Sequence, residues 1–224
     1  MQAMRLLALE TATHRLSVAL WLDGRVIERF AELPNGSSEW LLPNVHSLLA
    51  EADISLTALD GIAFGAGPGS FTGLRLAAGC AQGLAYGLDL PVLGISTLEA
   101  LAFASGEPRV YACLDARMNE VYVAAFENGV EVMTPIVCPP EEAPVPEGAG
   151  WIACGDGFAH YANRLPRFER VRPELRPTAA AVAALAAPRF TRGEGGPAIE
   201  AQPVYVRDKV ALTTAERLER GGRK

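Results

Sequence analysis

The sequence predicts an α/β fold of two lobes built from mixed sheets and crossover helices. Three observations predict it. Strand-length apolar runs alternate with stretches of helical spacing, hairpin-linked strands open both halves of the chain, and 224 residues allow two compact units of about 100 residues each. The first lobe is assigned to residues 1–105 and the second to residues 106–224.

In the first half, Leu6 to Glu10, Leu16 to Trp21 and Val26 to Ala31 read as strands. The last two are joined by Leu22-Asp23-Gly24-Arg25, where Asp-Gly signals a hairpin. Asn35-Gly36-Ser37-Ser38 marks a loop, and Ser38 is placed to cap a helix through Trp40, Leu41, Leu42, Val45, Leu48 and Leu49. Pro43 either starts that helix or kinks it. A buried strand from Leu59 to Phe64 runs into the glycine segment Gly65 to Arg75, and a helix follows to about Tyr86. Pro91 to Ile95 returns as a strand and Thr97 to Ala104 as a helix. This order suits a mixed sheet with crossover helices.

In the second half, Val110 to Asp115 and Glu120 to Phe126 form a hairpin around Arg117-Met118-Asn119, and Trp151 to Cys154 is a further strand. Pro135 to Pro146, rich in Pro and Glu, reads as an irregular excursion. The alanine tract Thr178 to Ala187 is a helix, Thr191 to Gly196 a loop, Pro203 to Arg207 an extended piece, and Gly221 to Lys224 a frayed end.

Composition sets limits on function. The chain is 50% hydrophobic and 21% charged, without an apolar run of the roughly 20 residues that span a bilayer, so a soluble, membrane-free protein is expected. Met1 to Arg5 leads straight into an apolar strand with no basic leader, so the cytoplasm is the expected compartment. Cys80, Cys113, Cys138 and Cys154 lack Cys-x-x-Cys spacing and read as buried thiols. His14, His46 and His160 are unpaired in spacing, so no metal site is drawn. The net charge of −6 argues against nucleic-acid binding over most of the surface. The charge is uneven: residues 164–192 hold seven arginines, Arg164, Arg167, Arg170, Arg172, Arg176, Arg189 and Arg192, against Glu169 and Glu174. Any RNA contact belongs there, and a solvated surface is the alternative.

The glycine segment carries the most information. Its glycines permit positive φ and close backbone approach, and the helix after it presents unpaired N–H groups able to hold an anion. Gly65-x-Gly67 is followed by Ser70 where a dinucleotide fingerprint needs glycine, and no Gly-Lys-Ser/Thr follows for a Walker loop. Ser70 lies in Gly69-Ser70-Phe71, outside the Gly-x-Ser-x-Gly elbow of a hydrolase. From position 73, glycines recur at 79, 83 and 87 on one helical stripe, which either receives a partner helix or packs on the chain's own sheet.

Five segments together resemble the TsaB family. They are the signature turn Gly67-Pro68-Gly69-Ser70-Phe71-Thr72-Gly73-Leu74-Arg75; Leu7 to Thr13 with Ser17 to Leu20; Ser37 to Pro43; Asp115 to Tyr122; and Pro203 to Arg207. The resemblance implies an actin-like, ribonuclease-H-like fold with the second lobe shortened. It implies a non-catalytic scaffold and activator of TsaD, in the complex that adds threonylcarbamoyl to the N6 of adenosine next to the anticodon of tRNA. The metal pair of TsaD falls on Thr97 and Leu101 here, and the usual first-loop aspartate is Glu10 in a loop without glycine. No catalytic, cofactor or metal residue is therefore assigned, and only weak ATP or ADP binding at the partner interface is allowed. The partner face implied comprises Trp40, Leu41 and Val45 with Leu76, Gly79, Cys80, Gly83, Leu84 and Gly87. TsaD and TsaE are the expected partners, with a homodimer when the protein is alone and tRNA touched only indirectly or weakly. The alternative is a small-molecule kinase or ATPase of the actin-like fold.

Overall fold

The computed structural model describes residues 4–33 and 37–207. Asn35, Gly36 and the end expected to fray at Gly221 to Lys224 lie outside the described residues.

The chain starts with β1 (Arg5–Glu10), β2 (Arg15–Leu22) and β3 (Arg25–Glu32), an antiparallel meander. Asp23 and Gly24 both take positive φ, as the tight turn between β2 and β3 requires. Then come α1 (Ser37–Glu51), β4 (Gly61–Gly67), α2 (Phe71–Leu88), β5 (Val92–Ser96) and α3 (Thr97–Ser105). The helix boundaries have local causes. The Ser70 hydroxyl accepts the Gly73 amide at the start of α2, and Ser96 does the same for Glu99 at the start of α3. Asp89 and Gly106 close the two helices in the left-handed conformation.

The second half repeats the pattern with β6 (Arg109–Arg117), β7 (Glu120–Glu127), β8 (Val130–Cys138), β9 (Ile152–Cys154), α4 (Gly157–Tyr161), β10 (Arg170–Arg172) and α5 (Ala179–Thr191). The first sheet is ordered β3-β2-β1-β4-β5 and the second β10-β9-β6-β7-β8. With β6 counted as the first strand of its sheet, both sheets have the order 3-2-1-4-5. This duplicated α/β topology is the actin-like, ribonuclease-H-like two-lobe fold. The second copy is shortened: a single 3-10 turn at Pro140–Glu142 stands where the first has α1, and α4 has 5 residues against 18 in α2.

Strand alternation divides the first sheet's two faces. Leu7, Leu9, Val18, Leu20, Ile62 and Phe64 face α1 and α2, whereas Ala8, Ala19, Ala63 and Ile95 face the alanine-rich α5. Small residues on both sides let α5 lie close to the sheet. α5 thus follows the second sheet in the chain but packs on the first, so the division at residues 105 and 106 does not describe how it packs.

Other expectations need correction. Pro135 to Cys138 belongs to β8 and is not irregular; β8 is an edge strand, where proline forfeits no inner ladder bond. α1 begins at Ser37, so Ser38 lies inside it, and Pro43 is interior as well. The Asn44 side-chain amide donates to the Trp40 carbonyl at 2.8 Å. β4 extends through Gly65 to Gly67, which are strand residues and not part of a loop. α5 continues past Ala187 to Thr191 with Pro188 inside it.

Candidate functional site

A cleft of about 1120 Å³ opens between the two sheets. One wall is the β1–β2 loop from Thr11 to His14 with the start of α2; the other carries Asp115, Arg117, Asp156, His160 and Arg176. Val204 to Arg207 runs along the cleft.

The signature glycines build the first wall by close approach. A Cβ on Gly73 would overlap the Thr11 carbonyl oxygen, and one on Gly69 would lie 2.6 Å from the Ala12 carbonyl oxygen. The Thr11 hydroxyl donates to the Gly73 carbonyl at 2.6 Å, and the Ser70 amide donates to the Ala12 carbonyl at 2.7 Å. The β1–β2 loop is thereby sealed to the head of α2. Among the signature residues only Gly67 has positive φ, at 121°, and its missing side chain makes room for the Val204 carbonyl. Ser70 is occupied as a helix cap, Thr72 is exposed at the cleft, and Arg75 lies over the Phe71 ring.

Glu10 does not reach the cleft. It is fully buried, and its carboxylate lies over Gly65, where any side chain would overlap it. One oxygen accepts the Ala12 amide at 2.6 Å while the other has no hydrogen-bond partner among the described residues. Burial pushes its pKa up to about 7, against the pull of the Ala12 and Thr11 amides. Thr97 and Leu101, also fully buried, lie on α3, and the Thr97 hydroxyl has no hydrogen-bond partner among the described residues.

Sequence spacing missed a convergence on Asp156. Its Oδ1 accepts the Asp115 amide at 3.0 Å, and its Oδ2 lies 3.8 Å from Arg176 Nε and 4.0 Å from His14 Nδ1. His160 Nδ1 is 2.9 Å from the Asp156 carbonyl. His14 thus meets Asp156 from across the cleft, whereas His160 meets the same residue's carbonyl from one helical turn further along its own wall. Among the described residues no three His, Cys, Asp or Glu side chains gather as a metal site.

The arginine-rich stretch is largely neutralised. Arg164 pairs with Glu141, Arg170 with Glu107, Arg172 with Glu174, Arg176 with Asp156, Arg189 with Glu99 and Arg192 with Glu194. Of the seven, only Arg167 forms no ion pair among the described residues, so the positive charge read from the sequence is not displayed as a free patch.

The glycine stripe faces outward. Cβ atoms on Gly79, Gly83 or Gly87 would meet nothing within 4 Å among the described residues, which overturns packing of this stripe on the chain's own sheet. Tyr86, 85% exposed, stands beside it, a residue the sequence reading passed over. Leu76, Cys80, Leu84 and Trp40 are half-buried along the same helices. Leu41 and Val45, by contrast, are buried in the first core and present no side chain to a partner, because they lie on the sheet-facing side of α1.

The chain is similar to proteins of known family. It is 38% identical to the tRNA threonylcarbamoyladenosine biosynthesis protein TsaB of Escherichia coli (strain K12), over 93% of this chain and 96% of that one. It is 35% identical to the TsaB of Haemophilus influenzae, over 94% and 96%. A family model described as TsaD, tRNA N6-adenosine threonylcarbamoyltransferase, matches residues 34–143. A solved Pseudomonas aeruginosa structure, described as an uncharacterized protein with similarity to peptidase YEAZ, superposes with a TM-score of 0.87 at 42% identity. It covers 91% of this chain and 100% of its own.

Proposed function

The chain belongs to the TsaB family, and from that premise we propose that it takes part in threonylcarbamoyladenosine formation in tRNA as a non-catalytic subunit that docks on TsaD. The observation that carries the docking role is the outward stripe of α2. Gly79, Gly83 and Gly87 leave a groove without side chains, flanked by half-buried apolar residues of α1 and α2. A helix of another protein can approach such a stripe to short range and gain dispersion contacts along its length. The same face offers a second copy of the chain a place when TsaD is absent.

The reading as a kinase or ATPase draws on the cleft and the α2 N-terminus within it. Against it stands Glu10, whose carboxyl turns over Gly65 and away from the space where a bound nucleotide would need a carboxylate. Weak ATP or ADP binding at the TsaD interface is compatible with either reading. The decisive experiment mixes the purified protein with TsaD, TsaE, ATP, threonylcarbamoyl-adenylate and tRNA, omitting each in turn. The scaffold role predicts no modified tRNA from this chain without TsaD and strongly reduced modification from TsaD without it. Turnover in the absence of TsaD would overturn it.

A further inference from the structure

We infer that residues 201–207 form a strap that ties the first sheet and α2 to the β6–β7 turn, holding the two sheets at one separation across the cleft. The segment has no regular secondary structure, yet it is anchored at both ends. Ala201 is buried in the first core. The Val204 amide donates to the Ala66 carbonyl at 2.7 Å, and the Val204 carbonyl fits into the space left by Gly67. Further on, Arg207 donates to the Ala116 carbonyl at 3.0 Å and pairs with Glu120 on the opposite wall.

Between these anchors Tyr205 is held against α2. Its hydroxyl accepts Arg75 Nε at 3.1 Å, and its ring centroid is 5.8 Å from that of Phe71. The Arg207 side chain is only 14% exposed, so its contacts to the second sheet form in a partly desolvated setting, where a charged hydrogen bond counts for more than on the surface. A chain bonded to both walls adds, at the open side of the cleft, to the restraint that α3 imposes by packing on strands of both sheets. The strap is thus a conformational element of the fold, and it stands whether or not α2 docks on TsaD.

Native thiols supply the test. Cys80 on α2, packed on the first-sheet core, and Cys138 on β8, packed on the second, are half-buried, while Cys113 and Cys154 are fully buried. Spin labels on Cys80 and Cys138 report the separation of the sheets by pulsed electron resonance, and hydrogen exchange reports the Val204 amide. The full-length chain is expected to give one narrow distance distribution. Arg207→Ala should broaden it and speed exchange at Val204 about tenfold, with the amides of β1 unchanged. An unaltered distribution in Arg207→Ala overturns the strap. Should Arg207→Ala raise exchange throughout the chain, Tyr205→Phe decides: faster exchange at Val204 alone supports the strap, and unchanged exchange there overturns it.

Discussion

Thr11 binds the Gly73 backbone and packs directly against it in the cleft's first wall. The Thr11 hydroxyl donates to the Gly73 carbonyl at 2.6 Å, and the Thr11 carbonyl occupies the space a Gly73 side chain would need. The glycine is required for contact and not for an unusual φ, since Gly73 lies in the regular first turn of α2. Gly73→Ala is therefore expected to force the β1–β2 loop away from α2. Overpacking of this kind costs about 1–3 kcal/mol, or a fall in melting temperature of roughly 2–12 °C for a chain of this size. Thermal unfolding beside Gly79→Ala makes the comparison, because Gly79 is open and alanine there should be neutral or slightly stabilising. Equal behaviour of the two variants would refute the close-approach account.

Gly69→Val is expected to destabilise the fold, but not for the reason a turn signal suggests. Gly69 does not have positive φ, and the obstacle is the Ala12 backbone, 2.6 Å from the added Cβ. Gly69→Ala, which adds only that Cβ, should then retain most of the loss. Were alanine harmless and only valine damaging, the clash with Ala12 would be the wrong cause. Urea unfolding of both variants separates the two cases.

Gly83→Leu tests the docking face. Nothing among the described residues lies within 4 Å of the new Cβ, so the isolated protein should keep its melting temperature. Holding two helices apart costs about 1–3 kcal/mol, which at 1.4 kcal/mol per tenfold is roughly a five- to hundredfold loss of TsaD affinity. Calorimetric titration with TsaD measures it. Undiminished affinity in a folded Gly83→Leu protein would remove α2 from the interface.

Glu10 gives a pH dependence of defined sign. Its folded pKa, about 7, lies above the ordinary value of 4.5 because burial disfavours the charged form. The folded state therefore holds a proton that the unfolded chain releases, and stability falls as pH rises from about 4.5 to about 7. At 1.36 kcal/mol per unit the loss is on the order of 3 kcal/mol. Glu10→Gln, always neutral, should lack this decline and be the more stable protein at pH 8. Denaturant unfolding at pH 5 and pH 8 checks it; parallel pH dependence in the two proteins would show that Glu10 is not the group responsible.

Much of the fold was legible because local rules governed it. The first-half element order followed from strand alternation and helical spacing, as with Leu7 and Leu9 against Ala8. The hairpin turns at Asp23-Gly24 and at Arg117 to Asn119 are made by residues in the left-handed region, which Asp-Gly and Asn119 announce but Arg117 and Met118 do not. β8 was missed because Pro135 argues against a strand until the sheet order places that strand at an edge.

By itself the sequence determined the order of elements in the first half, the fold class and the family resemblance, since each depends on residue type and spacing along the chain. Tertiary structure alone decided which way those residues face. It turned Gly79 and Gly83 outward and Leu41 and Val45 inward, closed Gly69 and Gly73 onto the β1–β2 loop, and brought His14 to Asp156. It also paired Arg164 and Arg170 with glutamates 23 and 63 residues away. Such long-range pairs leave no periodic trace, because they form only once the two sheets and α5 have packed.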